Sequence, residues 1–174
     1  MKISLEQLKD LRNMTFASVA DCKKALEEAE GDLNKAVTLL RKRGLEIASN
    51  KQDRAAKEGR VEAYIHNGNK IGVLLEVVCE TDFVARNAEF CQFTKDLAMQ
   101  IAACNPSYIK REDVPEEIIS QEHDKAAYYK NHCLLEQPFI KDPGMTINDY
   151  MAALLAKFRE NIMIRRFARY KIGA

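Results

Sequence analysis

At 174 residues the chain has room for one ordinary domain, or for a small domain joined to a larger one. With 47% hydrophobic residues, 30% charged, 4 Pro and 7 Gly, it has the composition of a folded protein and not of a disordered or collagenous one. Lys+Arg 27 against Asp+Glu 26 leaves a formal net charge of +1, which excludes a protein that holds nucleic acid chiefly by bulk charge, so no direct nucleic-acid partner is expected.

Charge is nevertheless uneven along the chain. Residues 41–60 carry a net of +4, residues 157–171 a net of +5 and residues 111–125 a net of −4, and runs of this kind usually form solvated faces. The five cysteines, Cys22, Cys79, Cys91, Cys104 and Cys133, are odd in number and contain no Cys-x-x-Cys pair, so neither a disulfide framework nor a zinc site is suggested. The longest uncharged run, Leu97 to Ile109, is far short of the ~20 apolar residues that cross a bilayer, and no membrane partner is expected. Met1 to Glu6 turns acidic and amphipathic too soon for a signal peptide. A reducing, cytoplasm-like compartment is the expectation.

Ser4 followed by Gln7 has the form of a capping box, and Leu5, Leu8 and Leu11 predict a first helix to about Asn13. Ser18 caps a second, with Val19, Cys22, Leu26 and Ala29 on one face and Gly31 as a left-handed stop. Asp32 opens a third, striped by Leu33, Ala36, Val37 and Leu40 and closed at Gly44. Residues 1–44 thus read as a small helical domain near the lower size limit for independent folding. Residues 45–60, charged and poor in large apolar side chains, read as a connector.

From Val61 the period changes to two. Val61, Ala63 and Ile65 alternate with Glu62, Tyr64 and His66, and Asn67-Gly68 turns the chain into a nearly all-apolar strand from Ile71 to Cys79. Asn87 caps a long helix with Phe90, Phe93, Leu97, Ile101 and Cys104 on one face, stopped by Asn105-Pro106. An acidic helical stretch starts near Pro115, Pro138 and Pro143-Gly144 bracket a loop, and Thr146 caps a helix through Phe158. A last strand, from Asn161 to Ile172, sets Ile162, Ile164, Ala168 and Tyr170 on one side against Arg165, Arg169 and Lys171. The fold class is α+β: an N-terminal three-helix domain, then residues 61–174 as a core with a small antiparallel three-stranded sheet covered by helices. Such a sheet leaves an open face that a second copy of the chain can close.

The chain holds no Gly-x-x-x-x-Gly-Lys-Ser/Thr loop, no Gly-x-Ser-x-Gly elbow and no His-Glu-x-x-His pair. Asn50-Lys51-Gln52-Asp53 matches a short guanine-reading pattern, but it lies in the connector without a preceding buried strand. His66, His123 and His132 are scattered, and no catalytic, cofactor or metal residue is assigned. The informative segment is Glu80-Thr81-Asp82-Phe83-Val84-Ala85-Arg86-Asn87, an acid, an aromatic and a base crowded between strand and helix. On pattern alone Phe83 either turns into the core or stands out as an interface anchor.

Thr81 to Asn87 resembles the signature of the elongation factor Ts family. Asp21-Cys22-Lys23-Lys24-Ala25-Leu26 with Gly31-Asp32, Cys133 to Phe139 with Lys141-Asp142-Pro143, and Glu160-Asn161-Ile162 with Arg165-Arg166-Phe167 agree in the same order. The resemblance implies a ubiquitin-associated-like first domain and a guanine-nucleotide exchange factor, without covalent chemistry or cofactor, for the GTPase elongation factor Tu. It implies that Thr81, Asp82, Phe83 and Val84 meet the partner's GTPase domain, with Asp82 and Phe83 disturbing its magnesium and phosphate site so that GDP leaves. Arg12, Val19 and Ala20 are implied as further contacts. Here Thr15-Phe16-Ala17-Ser18-Val19-Ala20-Asp21-Cys22 departs from the Thr-Gly-Ala-Gly-Met-Met-Asp-Cys of most members, with Phe16 as a candidate replacement anchor. Short members of the family are expected to pair through the small sheet. The implied compartment is the bacterial cytoplasm, or an organellar matrix after loss of a transit peptide. The rival is an interaction scaffold whose helical domain holds ubiquitin-like or nascent-chain partners.

Overall fold

A computed structural model describes residues 3–15, 17–49 and 55–173, with the side chains of 45–49 outside the description. Phe16 and the Asn50 to Asp53 tetrad lie outside the described residues. The chain divides into two compact units, Met1–Ala55 with Asp149–Asn161, and Ala56–Asn148 with Ile162–Ala174.

Three helices begin the first unit: α1 (Leu5–Thr15), α2 (Val19–Glu28) and α3 (Leu33–Ser49). The capping box forms, with the Gln7 amide nitrogen donating to Ser4 Oγ (3.0 Å) and the Ser4 amide to Gln7 Oε1 (3.1 Å). Gly31 takes the left-handed stop, at φ 83°. The fully buried Leu11, Cys22, Ala25, Leu26 and Ala36 make the core, with Val37 and Leu40 against them. Leu5 and Val19, counted on the apolar faces by spacing, are instead 88% and 49% exposed. Gly44 does not close α3, which runs five residues further to Ser49. The glycine serves packing: a Cβ there would lie 2.9 Å from the Ala152 carbonyl oxygen of a later helix, α8 (Ile147–Phe158).

In the second unit β1 (Glu58–Ile65), β2 (Ile71–Cys79) and β5 (Met163–Lys171) form an antiparallel sheet in the order β1-β2-β5. Helix α5 (Ala88–Cys104) packs on β1 and β2 through Phe90, Phe93, Leu97 and Ile101, all fully buried. Thr94 donates to Glu62 Oε2 (2.9 Å), and Arg169 donates twice to the Ala102 carbonyl (3.2 and 3.0 Å) near the end of α5. The side chains of Glu62 and Arg169 thus identify the covered face. Two corrections follow from register. Val61, Ala63 and Ile65 of β1 point the other way and are exposed, while Glu62 and Tyr64 face the helix, half-buried. In β5 an extra residue, Arg165, sits where the register slips between Glu76 and Val77. This bulge turns Ile164 inward and leaves Ala168 and Tyr170 outward, so they do not share a side.

A one-turn α4 (Asp82–Arg86) joins β2 to α5, and α5 ends at Asn105 in the left-handed conformation. The acidic stretch is broken into α6 (Glu116–Ile119) and α7 (Lys125–His132). The segment bracketed by Pro138 and Pro143 is a short hairpin of β3 (Pro138–Phe139) and β4 (Asp142–Thr146), not a plain loop. Fully buried Gln100 secures it to α5: its Nε2 donates to Gln137 Oε1 (3.2 Å) and the Pro138 carbonyl (3.1 Å), and its Oε1 accepts from the Ile140 amide (2.9 Å). No helix among the described residues is long and apolar enough to cross a membrane.

Candidate functional site

The corner between β2 and α5 is built so that one side chain has nowhere to go but outward. Cys79, the last residue of β2, is fully buried and its thiol donates to the Thr81 carbonyl (3.2 Å). Thr81 is extended (φ −126°, ψ 153°) and its Oγ1 accepts from the Val84 amide, which caps α4. Val84 and Ala85 are buried, each 7% exposed. Asn87 closes α4 with its amide on the Val84 carbonyl (3.0 Å) and opens α5 with its Oδ1 on the Glu89 amide (2.9 Å). The Cys91 thiol reaches the Ala85 carbonyl at 3.7 Å.

These bonds fix five residues of helix over which roughly 100° separates successive side chains. With Val84 and Ala85 turned inward, Phe83 must face out, and it is 85% exposed. Of the two directions open to it in the sequence, the outward one is realised and the core one is not. Asp82 and Arg86 stand one turn apart with Arg86 Nη2 3.3 Å from Asp82 Oδ2. The i, i+4 spacing of acid and base was visible in the sequence; that the two meet beside Phe83 was not.

Thr81, Asp82, Phe83 and Val84 are thus brought together, although Val84 is a buried support and not a contact surface. Arg12, Val19 and Ala20 belong to the other compact unit. All three are exposed there, Arg12 near the end of α1 and Val19 and Ala20 at the start of α2. The described part of the turn between these helices needs no glycine at Ser18. Ser18, at φ −63° and ψ 153°, accepts from the Asp21 amide (3.1 Å) and donates to Asp21 Oδ2 (2.6 Å), while Thr15 Oγ1 donates to the Leu11 carbonyl (2.6 Å). Burial pushes the neighbouring Cys22 thiol above its ordinary value, against the opposing hydrogen bond from Thr15.

A third exposed feature was only half legible. Val61 (64%), Ile65 (63%), Leu74 (50%), Tyr170 (73%) and Ile172 (73%) are exposed, and the first four share the outer face of the sheet. Val61, Leu74 and Ala168 line a groove of ≈ 330 Å³ there, bordered by Glu76 and Arg166, which pair at 2.6 Å. Exposing the apolar side of a strand while turning Glu62 and Arg60 toward a helix is costly for a lone sheet. Among the described residues no group of three or more His, Cys, Asp or Glu is arranged to hold a metal ion.

Residues 4–128 match the family model described as Elongation factor TS. Among curated relatives, the chain is 48% identical over 194 residues to "Elongation factor Ts" of Carboxydothermus hydrogenoformans, covering 98% of this chain and 89% of that protein. It is 48% identical to the same-named protein of Caldanaerobacter subterraneus subsp. tengcongensis, covering 98% and 97%. With that of Desulfotalea psychrophila it shares 45% identity over 199 residues, covering the whole of both chains.

Proposed function

Because the chain belongs to the elongation factor Ts family of translation elongation factors, we propose that it is a guanine-nucleotide exchange factor that binds elongation factor Tu and promotes release of GDP. The observation that carries this reading is Phe83, 85% exposed on a corner held by caps at both ends and by two buried neighbours. A large apolar ring in water gains free energy only when something receives it, and a corner already fixed loses little entropy on docking.

Asp82 and Phe83 enter the GTPase domain near the magnesium and phosphate site. A ring that is buried only when that site is distorted binds the distorted state in preference, and this difference in affinity loosens GDP. The coupling is reciprocal, so rebound nucleotide expels the factor. No covalent bond is made or broken, and no cofactor is needed. Arg12, Val19 and Ala20 add contacts from the N-terminal helices of the first compact unit, and Asp82 and Phe83 from the unit that holds the sheet. The outer face of the sheet pairs two copies of the chain, and the compartment is the bacterial cytoplasm.

The test is release of fluorescently labelled GDP from elongation factor Tu in excess unlabelled nucleotide. Catalytic amounts of the protein should accelerate release well above buffer, and a rate equal to buffer refutes the function.

A further inference from the structure

We propose that Arg86 is a positioning residue for Asp82, holding its carboxylate on the flank of Phe83 so that acid and ring dock as one unit; this rests on the docking corner proposed above. On α4 the directions of Asp82, Arg86 and Phe83 fall within roughly 100° of arc, and Val84 and Ala85 occupy the remainder and are buried. The three outward side chains therefore form one surface, and whatever receives Phe83 also covers the pair. Among the described residues Arg86 is the ion-pair partner of Asp82, at 3.3 Å, with side-chain exposures of 81% and 49%.

In water such a pair contributes little. Its effect grows on docking. A solitary carboxylate carried into an interface loses its hydration, whereas one that arrives with a guanidinium keeps a charge partner as the surrounding dielectric falls. Arg86 uses part of its donor fork on Asp82 and keeps further N–H groups for an acceptor on the partner's rim. The charge order also suits the short helix, with the acid in its first turn and the base in its last.

The experiment is a double-mutant cycle read by labelled-GDP release from elongation factor Tu, titrated with factor to separate the half-saturating concentration from the maximal rate. Arg86→Ala should raise the half-saturating concentration about 5- to 10-fold, and Arg86→Lys, which keeps the charge, should stay within about 3-fold of wild type. In an Asp82→Ala background the Arg86→Ala change should add less than about 2-fold, since the carboxylate it serves is gone. Thermal unfolding should be unchanged throughout, as both side chains lie on the surface. An Arg86→Ala variant equal to wild type overturns the proposal, and so do fully multiplicative effects in the double variant, which would make Arg86 an independent contact. Phe83→Ala, run alongside, separates the two levels. Loss of exchange there with an inert Arg86 removes only the positioning role, whereas an inert Phe83 removes the docking corner itself.

Discussion

Replacing Phe83 by Ala separates folding from docking with unusual cleanness. The ring is 85% exposed, Val84 and Ala85 carry the burial of α4, and the caps belong to Thr81 and Asn87. Its removal should therefore change stability by no more than about 0.5 kcal/mol. Docking is different, because full burial of a Phe side chain contributes roughly 1.5–3 kcal/mol, and 85% of that surface is still available to be covered. The expected loss is about 1.3–2.5 kcal/mol, or roughly 10- to 70-fold in the factor's ability to accelerate nucleotide release. Thermal unfolding by circular dichroism and labelled-GDP release on the same preparation measure both quantities. A variant that exchanges normally, or one that loses activity only because its unfolding midpoint has dropped by many degrees, refutes the reasoning.

Leu74→Glu puts a charge in the middle of the outer sheet face, so sedimentation at micromolar concentration should turn a dimer into a monomer, with dissociation raised more than ~100-fold; a monomeric wild type would remove the pairing. Gly59 in β1 sits at φ 144°, and a Cβ there would lie 2.2 Å from the Val77 carbonyl oxygen, so Gly59→Ala should cost about 3 kcal/mol by denaturant unfolding, and a cost below about 1 kcal/mol contradicts the strain. Burial raises the fully buried Cys133 thiol from its ordinary value to about 11. The unfolded thiol ionises first, so the unfolded state binds fewer protons above about pH 9 and stability falls between about pH 9 and 11, by at most about 2–3 kcal/mol. Denaturant unfolding at pH 8 to 11 should show a flatter profile for Cys133→Ala, and identical profiles would exclude that thiol as the source.

The elements whose signals are local were readable in advance. Ser4-Gln7 and Ser18 cap as their spacing requires, and Asn87 and Asn105 bound α5 because a side-chain cap and a left-handed stop depend on neighbours in sequence. Gly44 misled because the same residue that ends helices also admits close packing, and only Ala152, more than a hundred residues later, distinguishes the two. The β1 alternation gave the period and not the direction. Period two is the same whichever side is covered, and the covered side was decided by Thr94 and the α5 helix. At the corner, the composition of 81–87 left Phe83 open to either direction, and its outward turn required Val84 and Ala85 to be buried beneath it. The short hairpin at 138–146 escaped notice because its restraint, Gln100, lies on another element.

The extra residue at Arg165 has a consequence for how the last strand tolerates change over time. Were the pairing regular, Ile164 would fall opposite Val78 on the other face of the sheet; the slip returns it to the inner face opposite Val77. Losing this residue would make Ile164 and Arg166 direct neighbours in their present directions, inward opposite Val77 and outward opposite Glu76, so a deletion here should be tolerated where one elsewhere in the strand would turn a whole side over. That position is where the last strand has length to spare.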